Sequence, residues 1–471
     1  MKDVKEIIET MTNSILGDGG SIYFIGIGGI GMSALARYFS SKNVTVSGYD
    51  KTETVLTKQL AAEGINVHYQ DNVALIDKEA RLVVYTPAVP KDHTELNYYL
   101  AHDYTVAKRS DVLGAITNSS FNICVAGTHG KTTTSAMVAH ILQHSGFGCN
   151  AFLGGIAVNY NSNFWSSEKN VCVIEADEYD RSFLKLSPDV AIVTAMDADH
   201  LDIYGTAENV EQAFIDFSTK IKEGGLLMSK FGLNKSAALK ASKHLTYHLN
   251  DVKANVCAAN IKMDNGSYRF DVLLKNTAAI SWKLNEVELN MGGMHNIENM
   301  IAAIAVAHHL KIDDEKIKAA VSSFKGVKRR FEYIIKNETQ IFIDDYAHHP
   351  DELKALLTGA KKLFPEKKCM LIFQPHLFSR TKDFADGFAE SLDMADEIIL
   401  LPIYPARELP VEGVNSEMLL NKMKATNKKV MHKTEILDWI KNNKTELLIT
   451  AGAGDIDTLV QPIKKILSNN N

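Results

Sequence analysis

Asn122-Ile123-Cys124-Val125-Ala126-Gly127-Thr128-His129-Gly130-Lys131-Thr132-Thr133-Thr134 begins as an apolar run, turns at two glycines and enters a helical pattern that continues to about His144. A strand that ends in glycines and re-enters as a helix offers free backbone N–H groups and a positive helix end, and both favour an anion such as a nucleotide triphosphate. Gly127, Thr128, His129, Gly130, Lys131, Thr132 and Thr133 are therefore expected to cradle phosphates. Lys131 would counter the outer phosphates, and the hydroxyl of Thr132 would sit on Mg²⁺. The common G-x-x-x-x-G-K spacing would place glycine where Val125 stands, so this loop is two residues shorter. The plainer alternative is a Gly/Thr-rich turn that only starts a core helix.

Outward from this loop, the 471-residue length suggests about three domains, and the 45% hydrophobic content is enough for ordinary cores. A net charge of −6 with acids and bases interspersed argues against nucleic acid or an anionic membrane as principal partner, leaving small molecules. The start Met1-Lys2-Asp3-Val4-Lys5-Glu6 mixes charge signs and does not read as a signal peptide, and no apolar run approaches a membrane span. Cys124, Cys149, Cys172, Cys257 and Cys369 are scattered and lie mostly inside apolar segments, which fits reduced core thiols and a cytoplasmic protein.

Upstream, Ser21-Ile22-Tyr23-Phe24-Ile25 reads as a buried strand followed by Gly26-Ile27-Gly28-Gly29-Ile30-Gly31, a helix over Met32 to Ser41, and a second strand that closes at Asp50. Gly26, Gly28 and Gly31 satisfy G-x-G-x-x-G, and Asp50 stands 19 residues past Gly31. Together these point to a Rossmann-like nucleotide fold, with pyrophosphate on the helix end and Asp50 reaching a ribose hydroxyl. Glycines serving only tight strand–helix packing are the alternative. Strands at Leu82 to Tyr85 and Thr105 to Ala107 extend the sheet, and the polar break after Asn118 bounds a first domain over 1–118.

Downstream, Val171 to Ile174 and Val190 to Met196 are apolar runs ending in Glu175-Ala176-Asp177-Glu178-Tyr179-Asp180 and Asp197-Ala198-Asp199-His200-Leu201-Asp202. Such runs suggest parallel strands covered on both faces, in which ligands gather at the carboxyl ends. Glu175 and His200 are thus candidate metal ligands beside a triphosphate. Alternation at Tyr268 to Leu274 and Val287 to Met291 reads as an antiparallel add-on. Asn296 and Asn299 share one face at the start of the helix Met300 to Leu310, either as caps or as readers of a base edge. These segments make a central domain over 119–325 with a P-loop ATPase-like, mostly parallel sheet.

A third, doubly wound α/β domain over 326–471 places Asp344-Asp345-Tyr346-Ala347-His348-His349-Pro350 and Gln374-Pro375-His376-Leu377-Phe378-Ser379-Arg380-Thr381 at strand ends. No zinc-ligand spacing accompanies His348 and His349, so a lining for an anionic substrate is the better reading.

The order of these motifs resembles the Mur ligase family over nearly the whole chain. The carriers are Gly26 to Ala36, Gly127 to Thr134, Glu175 to Asp180, Asp197 to Gly205, His295 to Asn299, Arg329 to Glu332, Asp344 to Pro350 and Gln374 to Thr381. The resemblance implies ATP on Gly127 to Thr133 and Mg²⁺, with Mn²⁺ as the alternative ion, on Thr132, Glu175 and His200. It implies the adenine side of ATP near Asn296 and Asn299, and Arg330, Asp345 and His348 closing over the nucleotide. Tyr346, His376 and Arg380 would lie near the incoming amino acid and the reacting carboxylate. The first glycine loop, Gly26, Gly28, Gly29 and Gly31 with Asp50, is reassigned from a dinucleotide to a UDP-sugar.

The implied activity is ATP-dependent joining of L-alanine to the lactyl carboxylate of UDP-N-acetylmuramate through an acyl phosphate, a step of peptidoglycan precursor synthesis. Lys131, Glu175, His200, His376 and Arg380 would carry it. Several relatives have a carbamoylated lysine shortly after the histidine matching His200. Here Phe214-Ile215-Asp216-Phe217 stands in that neighbourhood, which favours the alanine-adding branch. Leu377 replaces an arginine found in some members, and Leu226 to Ser229 lacks the acidic residues that commonly follow in the family. The competing readings are a recycling ligase that adds a tripeptide to the same nucleotide sugar, and an NAD-binding regulatory protein.

Overall fold

The computed structural model describes residues 4–18, 20–197, 201–264, 266–276, 279–406 and 408–469. It is a three-domain α/β protein built on three sheets. The first has β1 (Ser21–Ile25), β2 (Thr45–Tyr49), β3 (Asn66–His68), β4 (Ala80–Tyr85) and β5 (Val106–Lys108) in the order β3-β2-β1-β4-β5, all parallel. Alternate residues of β1 face opposite sides. Ile22 and Phe24 enter one apolar cluster, while Tyr23 and Ile25 enter another with Tyr49, Val83 and Tyr99. Because the chain leaves β1 toward β2 on one side and later returns to β4 on the other, strand order reverses at the end of β1. The glycine loop stands at that switch point.

The central sheet contains β6 (Phe121–Ala126), β7 (Asn150–Ala157), β8 (Ser162–Trp165), β9 (Val171–Glu175), β10 (Val190–Val193), β11 (Leu226–Lys230), β12 (Lys243–His248), β13 (Val256–Asp264), β14 (Ser267–Asn276) and β15 (Ala279–Leu289). Its order is β15-β14-β13-β12-β11-β10-β6-β9-β7-β8. β6 pairs in parallel with both β9 and β10, and edge strand β8 pairs antiparallel with β7. The loop after β6 is therefore flanked by the carboxyl ends of its two neighbours. β10 is shorter than its apolar run suggests. Thr194 N still donates to Ala126 O at 2.9 Å, after which the backbone leaves the ladder to brace the phosphate loop.

The third sheet has β16 (Glu332–Lys336), β17 (Ile341–Asp345), β18 (Cys369–Phe373), β19 (Glu397–Leu400), β20 (Lys428–Val430) and β21 (Leu447–Ala451) in the order β16-β17-β21-β18-β19-β20. Only the edge pair β16–β17 is antiparallel among its described pairings. All five cysteines are free and buried, and no helix among the described residues is long and apolar enough to cross a membrane.

The fold forms two compact units, one of Met1–Ala259, Val272–Leu284 and Glu298–Val321, the other of Asn260–Asp271, Asn285–Ile297 and Ser322–Asn471. Within the first unit, the helix Ile30–Ser41 that follows the glycine loop packs on β7 and β8 of the central sheet. The Tyr38 ring lies 5.2 Å from Phe152 and 6.2 Å from Phe164. Arg37, buried in the same joint, donates to both carboxylate oxygens of Glu63 at 2.7 and 2.8 Å and to Asn163 Oδ1 at 2.5 Å. The Asn163 amide in turn donates to Ile30 O at 2.5 Å and Ser33 Oγ at 3.1 Å. A fully buried carboxamide thus ties the glycine-loop helix to the central sheet.

Replacing Asn163 with leucine keeps much of the volume but leaves an Arg37 N–H and the Ile30 carbonyl without this partner. Asn163→Leu is expected to cost about 2–3 kcal/mol in urea unfolding, the range for losing a buried hydrogen bond to a charged group. A cost near zero would mean that the joint depends on its aromatic packing alone.

Candidate functional site

Gly127 has φ +140°, and a β-carbon there would fall 2.0 Å from Thr194 Oγ1, so only glycine lets the loop turn this close to the end of β10. Thr194 Oγ1 donates to His129 O, and Asp197 N donates to Thr128 Oγ1 at 3.2 Å. Gly130, at φ +82°, starts the helix Lys131–His144, and no side chain caps that helix. Its first turn is thus built to offer N–H groups to an anion. Thr128 and Thr133 are buried beside it, while His129 is exposed. Lys131 Nζ turns back to donate to Gly127 O at 2.7 Å and to Glu178 Oε1 at 2.8 Å.

Thr132 Oγ1 donates to Glu175 Oε1 at 2.8 Å, and Gly154 N donates to Glu175 Oε2 at 2.8 Å. Glu175 ends β9 and, through the parallel pairing of β6 with β9, comes alongside the phosphate loop. Burial lifts its carboxyl above the ordinary range, while the Thr132 hydrogen bond and the Lys131 charge oppose that rise. A β-carbon on Gly154 would fall 2.4 Å from Glu175 Oε1, so the missing side chain makes room for the carboxylate. A hydroxyl and a carboxylate, both hard oxygen donors, fit Mg²⁺ chemistry. His200, the third expected ligand, lies outside the described residues.

Glu175 also walls a cleft of about 290 Å³ that Gly154 and Asp177 border on the central sheet and Gly29, Gly31 and Arg109 border on the first sheet. Arg109 is its only cation among the described residues, with a guanidinium nitrogen 3.0 Å from where a Gly31 β-carbon would stand. Sequence reading missed it because Lys108-Arg109-Ser110-Asp111 looks like an ordinary charged helix start. Asp50 is turned onto its own loop: Gly28 N donates to Oδ2 at 2.7 Å and Thr52 N to Oδ1 at 3.1 Å. Gly26, at φ +84°, accepts Gly29 N at 3.2 Å through its carbonyl.

The two asparagines of the His295 to Asn299 motif have different surroundings. Asn299 Oδ1 lies 3.0 Å from the position of a Gly130 β-carbon, against the phosphate loop itself. Asn296 is buried, and its Nδ2 donates to Gly292 O at 2.6 Å.

In the second unit, five expected site residues form one chain of contacts. The Arg330 guanidinium lies over the Tyr346 ring at 5.5 Å, Tyr346 meets His348 edge-on at 5.1 Å, and the rings of His348 and His376 are 6.3 Å apart. Arg380 Nη1 is 3.3 Å from His376 Nδ1, and His376 stacks on Tyr404. Burial pushes both imidazoles below their ordinary range, with Arg380 adding to the effect, so both remain neutral near pH 7. Asp345 receives Phe331 N and Ala347 N, each at 2.7 Å, and thereby fixes the loops that carry Arg330 and Tyr346. Arg329, Phe331 and Leu377 have φ of +60°, +48° and +68°, a conformation bulky side chains avoid and one that clusters at functional sites.

Three family descriptions match the chain: Mur ligase family, catalytic domain, over residues 21–121; Mur ligase middle domain over 125–307; and Mur ligase, glutamate ligase domain over 329–456. The UDP-N-acetylmuramate--L-alanine ligase of Cytophaga hutchinsonii is 48% identical over 453 residues, 94% of this chain and 96% of the relative. That of Flavobacterium psychrophilum is 49% identical over 451 residues, 95% and 98% of the two chains. Among solved structures, the UDP-N-acetylmuramate-alanine ligase of Thermotoga maritima superposes with a TM-score of 0.79 at 28% identity, covering 96% of this chain and all 100% of its own.

Buried Asp344 and its half-buried neighbour Asp345 give the second unit a pH signature. Burial raises Asp344 to about 7 and Asp345 to about 6, against the pull of Thr450 and Arg329 on the first and of two backbone N–H groups on the second. Between the ordinary carboxylate range and about pH 7, folded Asp344 holds a proton that the unfolded chain has lost, so stability falls as pH rises through that window. Asp344→Asn removes this contribution. Its thermal midpoint relative to the parent should climb from about pH 5 to about pH 7 and then level off. A difference independent of pH would contradict a protonated Asp344.

Proposed function

The chain belongs to the Mur ligase family, and from that premise we propose that it is the ATP-dependent, ADP-forming ligase that joins L-alanine to the lactyl carboxylate of UDP-N-acetylmuramate. The carrying observation is that Lys131, Thr132 and Glu175 converge at the strand ends of the central sheet, and that Glu175 also walls the cleft beside the first glycine loop. Near-full-length similarity to curated L-alanine ligases supports the choice of acceptor.

A carboxylate and an amine do not condense in water without activation. The lactyl carboxylate oxygen attacks the γ-phosphorus of ATP, ADP leaves, and an acyl phosphate results. Lys131 and the backbone N–H groups at the uncapped start of the helix Lys131–His144 hold the phosphates in line. Arg109 is positioned as counter-charge for an anionic group of the nucleotide sugar. Thr132 and Glu175, with His200 as a further proposed ligand, would hold Mg²⁺. When bound, that ion supplies charge neutralisation on the phosphate oxygens.

The alanine amine then attacks the acyl carbon, the tetrahedral centre expels inorganic phosphate, and the nitrogen loses one proton. His376, kept neutral by burial and by Arg380, is the proposed proton acceptor, with Arg380 and Tyr346 assigned to the amino acid and reacting carboxylate. Arg330, Asp345, His348, Asn296 and Asn299 are proposed for the nucleotide. Asp50 and the loop Gly26 to Gly31 are proposed for the UDP-sugar.

Mixing the protein with ATP, Mg²⁺, UDP-N-acetylmuramate and L-alanine should release phosphate and give a product one alanyl residue heavier. Release only with a tripeptide acceptor would assign the recycling reaction, and no release with either acceptor would end the ligase reading. Lys131→Ala should lower turnover by at least about 10³-fold. Gly154→Ala, whose β-carbon displaces the Glu175 carboxylate, should lower it about 10²-fold, with part of the loss recovered at high Mg²⁺.

A further inference from the structure

The ammonium of the phosphate-loop lysine already has a partner. Lys131 Nζ meets Glu178 Oε1 at 2.8 Å and Gly127 O at 2.7 Å, with 14% of the lysine side chain and 1% of the glutamate side chain exposed. Glu178 is not a random surface acid. It immediately precedes the 3-10 helix Tyr179–Lys185 that follows β9, and its carbonyl accepts Tyr204 Oη–H at 2.7 Å, while Arg181 lies over the Tyr204 ring at 5.1 Å. The carboxylate is therefore presented to the loop by a fixed backbone. Burial pushes its carboxyl above the ordinary range, and Lys131 is the main influence drawing it back.

We propose that Glu178 is the resting counter-ion of Lys131, a positioning residue that holds the ammonium at the phosphate loop and is exchanged for a phosphate oxygen of the nucleotide. This rests on the ligase reading above and adds a residue to it. An enclosed ammonium is costly to leave without an anionic partner, and Glu178 is that partner before nucleotide arrives. The Gly127 carbonyl contact fixes the ammonium to the loop that receives the phosphates. An incoming triphosphate finds the ammonium in place, but it must break one charged hydrogen bond to use it. Glu178 therefore lowers nucleotide affinity while preserving geometry. This is a uniform binding cost, which moves KM and leaves kcat little changed.

The test is ADP binding by calorimetry and ATP-dependent kinetics on the full chain. Glu178→Gln keeps shape and an acceptor but removes the competing charge. The ADP dissociation constant and the KM for ATP should both fall about tenfold, the equivalent of one charged hydrogen bond, with kcat within about twofold of the parent. Unchanged or weaker nucleotide binding would overturn the proposal, as would a fall in kcat without a change in KM. Should Glu178→Gln fold poorly, the parent chain bound to a non-hydrolysable ATP analogue decides the matter. Lys131 Nζ should then contact a phosphate oxygen and no longer Glu178, and a retained Lys131–Glu178 pair would overturn the exchange. Parent protein that binds nucleotide while Glu178→Gln changes nothing sinks this inference alone. Parent protein that binds neither ADP nor ATP sinks the ligase reading with it.

Discussion

The first unit depends on one electrostatic problem, which is to keep an ammonium and two carboxylates packed together beside a helix end whose N–H groups stay open. Lys131 faces Glu178, Glu175 is held by Thr132 and Gly154 N, and the helix from Lys131 has no capping side chain. Each charge offsets another's desolvation, so removing any one leaves its neighbours costly. A capped, neutral loop would be easier to fold and would have nothing to offer a phosphate.

The surrounding architecture follows from that need. Parallel pairing of β6 with β9 and β10 places three strand ends side by side, so residues far apart in sequence reach one another without long loops. Glycine at 127, 130 and 154 removes the side chains that would collide with Thr194, Asn299 and Glu175. The Arg37–Asn163 joint then ties the first glycine-loop helix to the central sheet, and the cleft between Arg109 and Glu175 is bordered by both sheets. In the second unit the same logic recurs in another form. Buried Asp344 and half-buried Asp345 end β17, and they organise the strained loops that carry Arg329, Arg330 and Tyr346.

Much of this was legible in the chain itself, because the signals are local. Ile22 to Ile25 and Asn122 to Ala126 read as buried strands since parallel strands covered on both faces must be apolar throughout. Gly-x-x-Gly-Lys-Thr after such a run specifies a strand–loop–helix turn, because glycine alone tolerates φ values of +140° and +82°. The order of motifs was enough to indicate the family, and with it three α/β sheets. Boundaries were less legible. The apolar run from Val190 to Met196 hides the point where Thr194 leaves the ladder, since buried loop and buried strand have the same composition.

Sequence alone determined that the longest apolar runs are strands, that glycine loops stand between strand and helix, and which family the motif order belongs to, since those properties are set by neighbours a few residues away. Tertiary structure decided the pairings. It brought Glu178 onto Lys131 across 47 positions and Arg37 onto Asn163 across 126. It set Asn299 against the phosphate loop, turned Asp50 onto Gly28 N, and brought Arg109 and Glu175 into the lining of one cleft. Nothing in the local pattern could announce these, because a charge or an amide looks the same in sequence whether it faces solvent or a buried partner. Only the strand order fixes which it meets.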